Sequence, residues 1–144
     1  MKILYQTDAT ATGGREGHVS SSDGHLDVRL VLPPELGGPG GAGTNPEQLF
    51  AAGFAGCFDN AMILVARRMK VSTAGARVTA RVGLGMFEAG RFGMEVELVV
   101  MLPELDQEQA EQLVTATHKV CPFSNAVNGN IDVKLTVVPP AEVL

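Results

Sequence analysis

The chain has 144 residues, the usual length of one domain, and its 45% hydrophobic and 19% charged content is enough for a packed core. A formal net charge of −5 argues against a phosphate-binding surface for nucleic acid. The longest unbroken apolar run, Leu49 to Phe58, is too short to span a bilayer, so no membrane segment is expected.

In chain order, residues 2–8 and 16–31 read as strands. Ile3, Tyr5 and Thr7 alternate with polar neighbours, as do Leu26, Val28, Leu30 and Leu32, and Pro33-Pro34 stops the second run. The N-terminus lacks an apolar core followed by a small-residue cleavage site, so no signal peptide is expected. Residues 37–43 form a glycine-rich loop without the Gly-Lys-Ser/Thr ending of a phosphate loop. A long helix follows. Asn45 can cap it, Pro46 suits its first position, and Gln48 has capping-box spacing. Phe50, Phe54, Cys57, Phe58, Ala61, Met62, Val65 and Met69 recur at helical intervals, and the apolar residues extend far enough round the cylinder to predict a central, buried helix. Gly53 and Gly56 weaken that helix, which makes sense if another backbone or a substrate approaches closely. Residues 75–87 and 92–101 predict a hairpin around Glu88-Ala89-Gly90-Arg91. Asp106 and Gln109 box the start of a second helix, whose face Ala110, Leu113, Val114, Thr117 continues to Cys121 before Pro122 ends it. Asn128-Gly129-Asn130 is a turn, and Ile131–Val138 a final strand. The order predicts one α+β domain over residues 1–144, with two helices packed on largely antiparallel sheet.

The two cysteines carry the chemistry. Cys57 lies mid-helix among Phe50, Phe54 and Phe58; Cys121 lies at a helix end beside Pro122 and Phe123. They are 64 residues apart, so any partnership comes from the fold. With no export signal, a reducing cytosol is expected, where disulfides are transient. A reactive cysteine must be a thiolate, and apolar surroundings alone raise its pKa, so a nearby cation is needed. Arg15, within Gly13-Gly14-Arg15-Glu16-Gly17, is the candidate, and Glu47 at the start of the long helix could hold it by a bidentate pair. Glu47 and Cys57 are ten places apart on one helix, roughly 15 Å at the usual rise. A two-fold dimer that brings the Arg–Glu pair of one chain to the cysteine of the other would remove that distance. Two buried, inert thiols are the plain alternative. Metal binding through His118 and Cys121, completed by His18, His25 or Cys57, is another, but no Cys-x-x-Cys or His-Glu-x-x-His is present and no metal is expected.

Asn45-Pro46-Glu47-Gln48-Leu49-Phe50-Ala51-Ala52-Gly53-Phe54-Ala55-Gly56-Cys57-Phe58 resembles the first-cysteine helix of the Ohr/OsmC family. Cys121-Pro122-Phe123-Ser124-Asn125-Ala126 with Gly129-Asn130-Ile131-Asp132-Val133 resembles its second-cysteine segment. The Gly13–Gly17 opening, the length and the element order fit as well, and the two cysteine motifs favour the organic hydroperoxide resistance branch. Phe54 and Phe123 stand where Tyr is common in the family, and Gly56 where Ala or Ser is common. The resemblance implies an OsmC-like fold, an intertwined cytoplasmic homodimer with its site at the subunit interface, and a thiol-dependent peroxidase acting on alkyl, aryl or fatty-acid hydroperoxides without a metal, haem, flavin or other cofactor. It makes Cys57 the peroxidatic and Cys121 the resolving residue, with Arg15 and Glu47 as the family's Arg–Glu pair. A lipoylated protein or another dithiol such as dihydrolipoamide is the implied reductant. Phe50, Phe54, Phe58 and Phe123 are expected to form an apolar substrate wall. An apolar-ligand binding module and a redox sensor are the alternatives the same residues allow.

Overall fold

Short polar strands and tight turns give the first 49 residues a small antiparallel sheet. The computed structural model describes residues 1–139 and contains two compact units, Met1–Leu49 and a second that begins at Phe50. In the first unit, β1 (Ala9–Thr12), β2 (His18–Ser21) and β3 (Asp27–Arg29) lie in the order β1-β2-β3, with Ala9 opposite Ser21 and His18 opposite Arg29. The β1–β2 link is a single 3₁₀ turn at Gly14–Glu16, entered through Gly13 at φ 79°. Gly17 closes it, and a Cβ there would fall 1.7 Å from the Thr12 carbonyl oxygen, so only glycine fits. Thr44 then bridges to Leu30, buried at 3% exposure, and steers the chain toward the long helix.

Two expectations are corrected here. Residues 2–8 form no strand: Ile3, Leu4 and Tyr5 are exposed, and the first ladder starts at Ala9. Alternation marks a segment able to pair, but a strand needs a neighbour to bond with, and none of the described ladders reaches this segment. The run 16–31 is two strands, divided by a turn in which Asp23 accepts from Ser21 Oγ at 2.6 Å and Gly24 has φ 78°.

The long helix α1 spans Pro46–Met69. Asn45 Oδ1 accepts the Gln48 backbone N–H at 2.8 Å, as a cap should, but the Gln48 side chain accepts the Thr44 hydroxyl at 2.7 Å instead of completing a capping box. The helix is long and apolar enough to cross a membrane by length and composition alone. Its face Phe54, Phe58, Ala61, Met62, Val65 and Ala66 is buried in the core of the second unit, as in the core helix of a folded domain. The other face is open in the single chain, with Leu64 46% exposed.

That core is completed by β4 (Arg77–Met86), β5 (Phe92–Met101) and β6 (Lys134–Val137). The β4–β5 hairpin pairs in full register from Arg77↔Met101 to Met86↔Phe92, and its turn places Ala89 and Gly90 at φ 62° and 74°. The last strand lies parallel to β5 and is shorter than expected: its ladder runs from Lys134 to Val137, and the Val138 N–H adds one further hydrogen bond to the Val100 carbonyl at 3.1 Å. The helix α2 (Gln107–Val120) starts on the predicted capping box between Asp106 and Gln109, and Ala110, Leu113, Val114 and Thr117 are its buried face. Pro122 ends α2 and also opens a third helix, α3 (Pro122–Val127), which the sequence reading left out. Proline at the first helical position loses no hydrogen bond, so one residue serves as both stop and start. The fold is α+β, with three α-helices among the described residues, one of them long.

Candidate active site

In the first unit, Arg15 is presented by the glycine-bounded 3₁₀ turn and Glu47 by the first turn of α1. Arg15 Nη1 donates to Glu47 Oε2 at 2.8 Å and Nη2 donates to Oε1, a bidentate fork. The hydrogen bond to Glu47 is the main cause that raises the Arg15 pKa, and the same bond holds the Glu47 carboxyl below its ordinary value. The pair anticipated from sequence is formed within one chain.

In the second unit, the fold brings Cys57 and Cys121 together. Both are free thiols; Cys57 is half-buried and Cys121 is 0% exposed. Burial is the first cause that pushes the Cys57 thiol above its ordinary pKa; the Phe123 backbone N–H opposes it, and the neighbouring Cys121 adds to the rise through its charge and its hydrogen bond. None of these influences is a cation. The aromatic residues divide. Phe50, Phe54 and Phe123 form one cluster, with ring centroids 5.6 Å apart for Phe54–Phe123 and 6.4 Å for Phe50–Phe123. Phe123 sits over Gly53, where an added Cβ would lie 3.1 Å from its ring. The close approach expected at Gly53 is therefore made by a ring, whereas nothing lies within 4 Å of a Cβ built at Gly56.

Phe54 and Phe58 are wholly buried and belong to the core. The open cavity beside Cys57, about 300 Å³, is lined instead by Asn60, Ala61, Leu64, Val65, Arg68, Val120 and Pro122. Sequence reasoning missed this wall. Its signal was the spacing from Cys57 along one face of α1 to Asn60, Ala61, Leu64 and Arg68, which is helical. The histidines raised as metal ligands are engaged otherwise: His18 with Asp27, His25 with Asp23, and His118 with Ser124 at 2.8 Å. Among the described residues no group of three or more His, Cys, Asp or Glu side chains could hold a metal ion.

The family model described as OsmC-like protein matches residues 38–136, a span that contains Glu47, Cys57 and Cys121. The chain is 53% identical over 137 residues to the organic hydroperoxide resistance protein of Xanthomonas axonopodis pv. citri, covering 94% of this chain and 96% of that protein. It belongs to the OsmC-like family, in the organic hydroperoxide resistance branch. The organic hydroperoxide resistance protein OhrB of Bacillus subtilis is 45% identical over 133 residues, with 92% and 96% covered. Among solved structures, an organic hydroperoxide resistance protein from Elizabethkingia anophelis superposes with a TM-score of 0.91 at 50% identity, covering 96% of this chain and 99% of the other. A Vibrio cholerae protein described as a putative organic hydroperoxide resistance protein, with captopril bound in one of its active sites, superposes with a TM-score of 0.89 at 52% identity, covering 95% and 94%. The OsmC-like fold read from the two cysteine motifs is the fold observed.

Proposed function

We propose that this protein is a cysteine-based peroxidase that reduces organic hydroperoxides to alcohols. The observation that carries the reading is the meeting of Cys57 and Cys121, 64 residues apart in sequence, with one half-buried sulfur facing a second that is fully buried. The names of the relatives, organic hydroperoxide resistance proteins, support the substrate class. The Cys57 thiolate attacks one peroxide oxygen; the O–O bond breaks, and the departing alkoxide takes a proton to become the alcohol. Cys57 is left as a sulfenic acid. The Cys121 sulfur then attacks it, forming the S–S bond as the S–O bond breaks, and the Cys121 proton leaves with the hydroxyl as water. An external dithiol, a lipoyl group on a protein partner being the type the resemblance suggests, exchanges through a mixed disulfide and restores both thiols.

An apolar setting raises the Cys57 pKa, so the thiolate needs a cation. In this proposal the Arg15–Glu47 pair supplies it from the second chain of a homodimer, with Glu47 fixing the guanidinium by two hydrogen bonds. No cofactor takes part, and the cytoplasm is the compartment that fits. Intact mass after one equivalent of an alkyl hydroperoxide tests the reading. Loss of two hydrogens per chain, reversed by dihydrolipoamide, is the expected result; an unchanged mass, or oxidation that no dithiol reverses, overturns it.

A further inference from the structure

Cys121 sits at a joint. It ends α2 and caps α3, with φ −63° and ψ 125°, and its backbone is bonded on both sides: its N–H donates to Thr117 O at 2.9 Å and its carbonyl accepts from Asn125 N at 3.0 Å. Backbone bonds hold each helix to the joint but leave the angle between the helices to side chains. Three residues before the cysteine stands His118, the last basic pair of α2 with Lys119; three residues after it stands Ser124 on α3. The Ser124 residue is 2% exposed, and its hydroxyl is hydrogen-bonded to His118 Nδ1 at 2.8 Å. Thr117, the other buried hydroxyl nearby, returns its bond to Leu113 O within α2 and does not cross the joint. Among the described residues, the His118–Ser124 bond is the side-chain hydrogen bond that spans it.

We infer that His118 and Ser124 are positioning residues that latch the α2–α3 joint and so hold Cys121 over Cys57 for disulfide closure. This rests on the peroxidase reading above. The two sulfurs are neighbours as thiols, and closure must bring them to an S–S bond of about 2.05 Å. With the joint fixed, Cys121 stays beside Cys57, where the two thiols already interact. With the joint loose, Cys121 must be found again at each turnover while the sulfenic acid waits, open to a second peroxide. Neither His118 nor Ser124 acts on the peroxide in this scheme, so the first oxidation is independent of them. A displacement of about 1 Å at a reacting group can lower a rate by on the order of 100-fold, which sets the scale of the expected effect.

The test separates the two steps by rapid quench and intact mass on the full-length protein with cumene hydroperoxide. In Ser124→Ala and His118→Leu, the sulfenic acid should form at about the wild-type rate, since no group in contact with the peroxide is changed. Disulfide closure should slow at least about 10-fold, with a matching rise in sulfinic acid at excess peroxide. His118→Asn, whose amide can stand at the Nδ1 position, should restore most of the closure rate. Unchanged closure in both variants overturns the inference. So does equal slowing of both steps with a lowered melting temperature, which marks a merely structural bond, and so does His118→Asn behaving like His118→Leu. If the wild-type protein forms a sulfenic acid but no Cys57–Cys121 disulfide, the peroxidase scheme itself fails and the latch with it.

Discussion

The sulfur of Cys57 is shaped by three groups: the apolar packing that raises its pKa, the Phe123 N–H that lowers it, and Cys121 beside it. Changing Cys57 to Ser should abolish peroxide consumption. Cys121→Ser should oxidise once at Cys57 and then stall or proceed to sulfinic acid, read as a single-turnover burst followed by a mass gain of two oxygens. A Cys57→Ser protein consuming peroxide at the normal rate would remove the assignment. Two glycines on the same helix give a sharper contrast. Alanine at an open helical site gains about 0.5–1 kcal/mol over glycine, so Gly56→Ala should raise the melting temperature. Gly53→Ala brings a methyl to 3.1 Å from the Phe123 ring, and overpacking of that kind costs about 1–3 kcal/mol, so it should melt below Gly56→Ala and disturb the segment next to Cys121. Melting curves of the pair decide it; equal shifts would show that the ring yields freely. The Arg15–Glu47 fork also has a pH signature. The Glu47 carboxyl is held below its ordinary value, so its contribution to stability is present above the unfolded value of about 4.3 and is lost as pH falls through the folded one. Glu47→Gln should therefore flatten the acid limb of a plot of melting temperature against pH; an unchanged limb would show that the fork adds nothing.

At the scale of elements, what could be read from sequence was whatever rests on local chemistry. Asp106 and Gln109 box α2 with both reciprocal bonds in place, and Ala89-Gly90 turn the hairpin at positive φ. Asp106→Ala should cost about 1 kcal/mol, visible as a lower urea midpoint at constant slope. The periodicity of α1 gave its length but not the division of its aromatics. Phe58 shares a helical face with Phe54 in the core, whereas Leu64 and Arg68 line the cavity with Cys57, and only packing decides which side of a broadly apolar helix faces inward. The segment 2–8 failed for the same kind of reason. Its alternation is broken at Leu4, and strands are made by partners that no pattern within one chain names. Pro122 was read as a stop because Cys121-Pro122 breaks a helix, and the six residues of α3 were too few for periodicity to register. The Arg15–Glu47 pair was anticipated because its parts are unusual: a cation among glycines that only a tight turn requires, and an acid at a helix start.

For the molecule as a whole, the unresolved tension lies between an apolar sulfur and the need for a thiolate. Burial and Cys121 both push the Cys57 pKa upward, and the Phe123 N–H is the one opposing influence. In the proposed homodimer an arginine from a second chain would resolve it, because a guanidinium stays charged even when desolvated and offers several donors in a fixed plane. The open face of α1, with Leu64 46% exposed, and the exposed segment Met1–Asp8, with Leu4 88% exposed, are surfaces that a second chain could cover. The cross-subunit arrangement makes a prediction that no arrangement within one chain shares. Arg15→Ala homodimers should alkylate Cys57 slowly at neutral pH and lose most peroxidase activity. In a mixed dimer of one Arg15→Ala chain and one Cys57→Ser chain, the intact Arg15 belongs to the chain without the sulfur. If the pair acts across the interface, that Arg15 meets the intact Cys57 of its partner, and the mixed dimer keeps one working site and about half of the wild-type turnover per dimer. If the pair acts within its own chain, both sites are broken and the mixed dimer is as slow as its parents. Differently tagged chains, co-expressed and purified through both tags, supply the dimer, and turnover with cumene hydroperoxide and dihydrolipoamide reads the outcome.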